Sequence, residues 1–241
     1  NVLYITCEMA EEKIAERIDA NLLDIPIQQL QDPLLTKQKY RAKIDVLKKK
    51  TQGKLVIKEY PTASAHVGHF KALLNELSLK KGFHPEIIFV DYLNICASSR
   101  YKGTIVNSYT YVKAIAEELR GLAGEYNVPI LSATQTTRSG YGNSNVEITD
   151  TSESFGLPAT ADLMFALIST EDMEELNQIM VKQLKNRYND PTVYKRFVLG
   201  IDRQKMRLYD CEQGAQDNII DAGDTPQTFT DTKKSFDGFK I

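Results

Sequence analysis

Pro85-Glu86-Ile87-Ile88-Phe89-Val90-Asp91-Tyr92-Leu93 sets four apolar residues directly against a carboxylate. A continuous apolar run of this length, rich in Ile and Val, suits a strand buried on both faces, as in a parallel α/β sheet. An aspartate at the C-terminal end of such a strand faces the crevice where α/β folds bind ligands. Taken alone the pattern is weak, because an Asp in this place serves equally as a turn or helix cap.

Two further stretches have the same design. Asn1-Val2-Leu3-Tyr4-Ile5-Thr6-Cys7-Glu8-Met9 is an apolar run that ends on a carboxylate, and Val128-Pro129-Ile130-Leu131-Ser132-Ala133-Thr134-Gln135 ends on an amide. Three buried strands would deliver Glu8, Asp91 and Gln135 to one edge of one sheet. NTP hydrolysis asks for that set: a carboxylate to polarise the attacking water, a carboxylate for Mg²⁺, and a neutral sensor of the γ-phosphate. The bland alternative is three unrelated strand-end caps.

A chain of 241 residues, 42% hydrophobic and 26% charged, is long enough for one sizeable core, as a single domain with appendages. The net charge of −2 excludes a global basic field. Nucleic-acid contact must then be local, or must come from several subunits around a charged channel. Cys7, Cys96 and Cys211 lie far apart in sequence, with neither metal spacing nor a disulfide framework. No apolar stretch reaches membrane-spanning length and no signal peptide is evident, so the expected setting is the reducing cytoplasm. The chain contains no GxxxxGK[ST], hence no phosphate-cradling loop, and it opens on Asn1, without Met, inside a strand. It is therefore expected to be a piece of a longer protein, inactive towards ATP by itself.

Apolar spacing predicts an amphipathic helix over Met9–Leu23, with Ile14, Ile18 and Leu22 on its inner face. Pro26 and Pro33 mark a break before a second helix over Leu34–Lys50, whose Lys48-Lys49-Lys50 favours the negative end of the helix dipole. A short strand over Leu55–Tyr60 precedes a helix over His66–Lys80; His66 and His69 suit capping better than a metal, since no Cys or carboxylate cluster accompanies them. Asn107–Tyr126 reads as a long helix and Ala161–Ile168 as a strand. Ile179–Arg187 and Tyr194–Ile201 read as antiparallel strands around Asn189-Asp190-Pro191, with Gln204–Asp210 as an edge strand. Residues 211–241 are polar and acidic and are expected to form a tail.

Successive motifs, ITCEM, IIFVDYL, VPILSATQTTR and KQLKNRYNDP, resemble in content and order those of the DnaB-type hexameric replicative helicases. MAEEKIAERIDANLLDI, VKAIAEELRGLA and GLPATADLM are most similar to the helicases of T-even-type bacteriophages. The likeness covers roughly residues 1–210. It implies a RecA-like α/β motor domain, a mostly parallel sheet flanked by helices, with the phosphate-loop strand outside these residues. It also implies an ATP-driven, Mg²⁺-dependent ring that moves 5′→3′ on single-stranded DNA and unwinds duplex at the fork. Implied partners are five further copies in a homohexamer, a primase and a helicase loader. On the same likeness Glu8 is the catalytic base, Asp91 the Mg²⁺-directing carboxylate and Gln135 the γ-phosphate sensor. Lys185 and Arg187 would reach the neighbouring subunit's nucleotide as a piston-like lysine and an arginine finger. Without the likeness, the same two residues read as charges protecting an edge strand.

DNA contacts are expected from two loops. Arg100 and Lys102 flank Tyr101 soon after Asp91, a pattern suited to backbone phosphates. Arg138 opens a Gly/Ser/Asn-rich segment that reaches Glu153, a candidate channel-lining loop. The family places an Arg before the Glu-Ser pair and a Gly after it. Ser152 and Phe155 stand there instead, which puts that contact in doubt. Two rivals remain at this level: another RecA-fold ATPase, such as a strand-exchange recombinase, and a non-catalytic ring or scaffold protein.

Overall fold

The computed structural model describes residues 1–30, 32, 37–101, 106–136, 146–148, 156–190 and 195–212. Strands β1 (Val2–Thr6), β2 (Leu55–Glu59), β3 (Ile87–Asp91) and β4 (Ile130–Ser132) form a parallel sheet in the order β2-β1-β3-β4. The alternation of the apolar runs decides its faces. Leu3, Ile5, Ile88 and Val90 are 0–2% exposed and lie in one core cluster with Phe70, Leu74, Ile115 and Leu122. Those last four come from helices α4 (Val67–Lys81) and α5 (Ser108–Tyr126). The other face is half-buried: Tyr4 stacks on Phe89 with ring centroids 5.9 Å apart and planes 19° apart. The expectation of strands buried on both faces thus holds for one face only. On the second, α1 (Glu11–Leu23) touches β2 and leaves the middle strands partly open.

Helix ends follow local chemistry. Asn107 caps α5 by accepting from the Thr110 amide at 2.8 Å. His66 caps α4: its Nδ1 accepts from the Gly68 amide, while His69 Nδ1 accepts from the His66 amide. The two histidines are thus spent on a cap. Gly82 ends α4 with φ of 56°, a left-handed turn that glycine adopts without penalty. Along α1 the buried residues are Ile14, Ala20 and Leu23, whereas Leu22 is 51% exposed. The inner face is rotated one residue from the predicted one.

A short helix α2 (Ile27–Leu30) follows, then α3 (Lys37–Lys50), which ends on Lys48, Lys49 and Lys50 and buries none of its side chains. Helix α6 (Gly156–Thr160) leads into a second sheet with the order β5-β6-β7-β8. Its strands, β5 (Leu163–Ile168), β6 (Gln178–Asn186), β7 (Arg196–Asp202) and β8 (Arg207–Asp210), pair antiparallel. Helix α7 (Glu171–Glu175) bridges β5 and β6. The hairpin expected near Asn189 is therefore the centre of a four-stranded sheet of its own. Arg120 on α5 ties that sheet to the first, donating to the Thr160 carbonyl at 2.7 Å and pairing with Asp162 at 2.8 Å. The expected acidic tail lies, from residue 213, outside the described residues.

Candidate active site

The parallel register aligns three strand ends. Thr6 lies opposite Asp91, Val90 opposite Ser132, and the Cys7 amide donates to the Asp91 carbonyl at 2.8 Å. The turn beyond β1 is set by Thr6, which is fully buried. Its Oγ1 accepts from the Met9 amide at 3.0 Å and donates to the Met9 carbonyl at 2.9 Å. That local turn lifts Glu8 out of the strand into an exposed position.

Asp91 sits half-buried at the end of β3. The Tyr4 hydroxyl donates to its Oδ2 at 2.8 Å. Burial, and then the bond to Asp91, push the Tyr4 phenol well above the usual tyrosine range. Gln135, three residues past β4, donates from Nε2 to the Tyr92 hydroxyl at 3.1 Å, so it reaches the residue next to Asp91. The Leu93 amide to the Ala133 carbonyl at 3.4 Å carries the pairing beyond the strands. Glu8, Asp91 and Gln135 thus come from adjacent parallel strands to one sheet edge. Thr134, beside Gln135, has a buried hydroxyl without a partner among the described residues.

Among the described residues no cluster of three metal-ligating side chains occurs. Asp91 nevertheless fits a hard divalent cation. Mg²⁺ is commonly held by one or two carboxylates together with substrate phosphates and water, and needs no protein cage. With Oδ2 taken by Tyr4, the Oδ1 oxygen remains to face such an ion.

Behind the edge a loop is fixed by a buried charge. The Glu118 carboxylate accepts from Ser98 Oγ at 2.7 Å, Ser99 Oγ at 2.8 Å and the Ser99 amide at 2.9 Å. Burial pushes its carboxyl up, but these bonds outweigh burial and hold it below the usual Glu value. The amides and hydroxyls of Ser98 and Ser99 are therefore spent internally, and Arg100 is the outward cation among the loop's described residues. Arg100 pairs with Glu117 at 2.6 Å. Lys102, Arg138 and Glu153 lie outside the described residues.

Lys185 and Arg187 converge on the end of α6. Lys185 Nζ donates to the Pro158 carbonyl at 2.6 Å and Arg187 Nη2 to that of Ala159 at 3.2 Å. Arg187 also faces Asp162 at 3.2 Å, an ion pair without hydrogen-bond alignment. Burial, then the Arg187 charge, push the Lys185 ammonium down. Among the described residues neither side chain contacts Glu8, Asp91 or Gln135. Strand β6 lies between β5 and β7, but its register with β7 ends at Lys182, so Lys185 is paired with β5 alone and Arg187 follows the strand.

Sequence reading missed Tyr4, Thr6, Tyr92 and Glu118. Tyr4 and Thr6 pass for members of an apolar run, and Glu118 for a solvated helix charge. Their partners become visible once register and helix packing are known. The same holds for Cys7 and Cys96, buried with their sulfurs 3.8 Å apart although 89 residues separate them.

Residues 1–197 match the family model of the DnaB-like helicase C-terminal domain. Over 214 residues, 88% of the chain, the sequence is 45% identical to the DnaB-like replicative helicase of Enterobacteria phage T4, covering 45% of that protein. A probable plasmid replicative DNA helicase of Chlamydia trachomatis is 29% identical over 137 residues, 56% of the chain and 28% of that protein. The chain therefore spans about half the length, or less, of the curated relatives it matches. Among solved structures, an ATPase domain superposes with a TM-score of 0.71 at 17% identity, over 88% of this chain and 74% of that one. A DnaB-like replicative helicase studied with primase superposes with a TM-score of 0.70, also at 17% identity, over 88% of this chain and 50% of that one. At that identity the two structures speak to the fold alone.

Proposed function

Since the chain belongs to the DnaB-like helicase C-terminal domain family, we propose that it is the motor region of an ATP-driven replicative helicase that assembles as a homohexameric ring, moves on single-stranded DNA and opens duplex at the fork. One observation carries the chemical part of this reading: three adjacent parallel strands present an exposed carboxylate, a tyrosine-held carboxylate and an amide at one edge. Glu8 would take up the proton of the attacking water and orient it. Asp91, with Tyr4 on one oxygen, would hold Mg²⁺, which neutralises phosphate charge when bound. Gln135 would follow the γ-phosphate and pass its loss to the loop behind it, and so to DNA. The phosphate cradle would come from sequence outside these residues. A primase and a loader are the expected protein partners.

The test is made in full-length protein that carries a phosphate loop. Glu8→Gln keeps the shape and removes the base. It should cut DNA-stimulated ATP turnover by at least about 10² while nucleotide binding stays within a few-fold, and fork unwinding should vanish. Asp91→Asn should weaken Mg²⁺-dependent nucleotide binding as well. Strand exchange without fork unwinding by the wild-type protein would transfer the chain to the recombinase class.

A further inference from the structure

Asp91 does not hold its own orientation. Aspartate turns about two torsions, and at the end of β3 its carboxylate is half-exposed. Among the described residues the hydrogen-bond donor that reaches it is the Tyr4 hydroxyl, at 2.8 Å from Oδ2. Tyr4 is suited to the task by its place. It sits opposite Phe89 in the β1–β3 register, two residues ahead of Asp91 on the same face of β3. Stacking on Phe89 at 5.9 Å fixes the ring plane, so the hydroxyl points along the strand and cannot swing away without breaking the stack. One carboxylate oxygen is thereby occupied and turned inward, and the other is presented in a single direction.

We propose that Tyr4 is a positioning residue for the metal–nucleotide site, holding Asp91 in the rotamer that receives the cation. This rests on the reading of Asp91 as the Mg²⁺-directing carboxylate. Outer-shell groups that orient a metal-ligating carboxylate typically change metal affinity by about 10–100-fold when removed. Two consequences of removing the hydroxyl oppose each other. The carboxylate recovers electron density, which favours the cation, and it gains rotational freedom, which opposes it. With a ring locked by stacking, the orientational effect governs.

The experiment compares wild type, Tyr4→Phe and Asp91→Asn in full-length protein, with Mn²⁺ as the probe. Free Mn²⁺ is followed by electron paramagnetic resonance during titration in the presence of a non-hydrolysable ATP analogue. Analogue affinity without metal and thermal midpoints are measured in parallel. The substitution Tyr4→Phe keeps the stack on Phe89, so the midpoint and the metal-free affinity should stay unchanged. The Mn²⁺ dissociation constant should rise about tenfold. Unchanged or tighter Mn²⁺ binding by Tyr4→Phe, with wild type binding and Asp91→Asn defective, would overturn the role of Tyr4 alone. Intact Mn²⁺ binding by Asp91→Asn would instead overturn the metal role of Asp91, and with it the inference.

Discussion

Glu118 shows what one residue settles in this fold. A carboxylate on the buried side of α5 receives two hydroxyls and the Ser99 amide, and so fixes the loop that leads outward to Arg100. Its folded carboxyl titrates below the usual value, while the unfolded one returns to about 4.3. The unfolded chain then binds the proton more readily. The stabilisation is fully present above about pH 4.3 and is lost as pH falls through the lower, folded value. Glu118→Gln should therefore lower stability near neutral pH by about 1.5–3 kcal/mol, the usual worth of bonds to a charged group. It should also flatten the acid side of the melting-temperature profile below about pH 4.3. Thermal melts from acid to neutral pH check this; an equal loss at every pH would mean that the carboxylate charge is not what the loop uses. Nothing in the sequence flags Glu118, one acidic residue among several on a helix. The placement of Glu8, Asp91 and Gln135 at neighbouring strand ends was legible because each follows an apolar run, and a strand end is a place that sequence can mark. Tyr4 was not, since its partner depends on the register that sets Thr6 against Asp91.

Elements were more legible than contacts. Continuous apolar runs and helical spacing predict β1, β2, β3, α4, α5 and β6 within a residue or two of their observed bounds. Short pieces without a period, α2, α6 and α7, were not predicted, because four or five residues do not complete an amphipathic pattern. The face of α1 was misjudged by one residue since Leu22 and Leu23 are both apolar, and tertiary packing chooses between them. Pairing was legible least. A strand pattern does not say how many neighbours a strand has, and β6 proved central, not an edge. The cap of α5 is included in the predicted helix Asn107–Tyr126, and the structure sets it one residue outside. Asn107 precedes α5 and bonds the Thr110 amide, which leaves one orphan donor fewer at the helix start. Asn107→Ala should cost about 1 kcal/mol, whereas Asn107→Ser should cost far less. Denaturant midpoints at constant m-value measure both. Equal losses for the two would show that side-chain capping contributes nothing there.

For the whole molecule the proposed reading is a ring, and the two sheets and the charge balance bear on it. The parallel sheet ends at β4 and the antiparallel one at β5, and Leu131, Leu163, Phe165 and Leu167 remain 45–65% exposed along them. On the proposed reading, a net charge of −2 would leave DNA affinity to repeated local cations around a ring. In such a ring Lys185 and Arg187 have two possible uses. In the single chain they brace α6, bonded to the carbonyls of Pro158 and Ala159. Arg187, just past β6, is nevertheless 42% exposed on its side chain, and neighbouring Tyr188 is 75% exposed. If Arg187 serves the neighbour's ATP, its loss should cut turnover by about 10³–10⁵. Bracing alone would also impair an Arg187→Ala ring, so that measurement cannot separate the two uses. Mixing can. Full-length Glu8→Gln and Arg187→Ala rings should each be inactive, but in a mixed ring some interfaces would pair an intact Glu8 with an intact Arg187 from next door. ATPase activity should then recover in part, with a maximum at intermediate ratios. If Arg187 acts on its own subunit's nucleotide, or only holds α6 in place, every site in the mixture carries a lesion and turnover stays at the background of the single variants at all ratios.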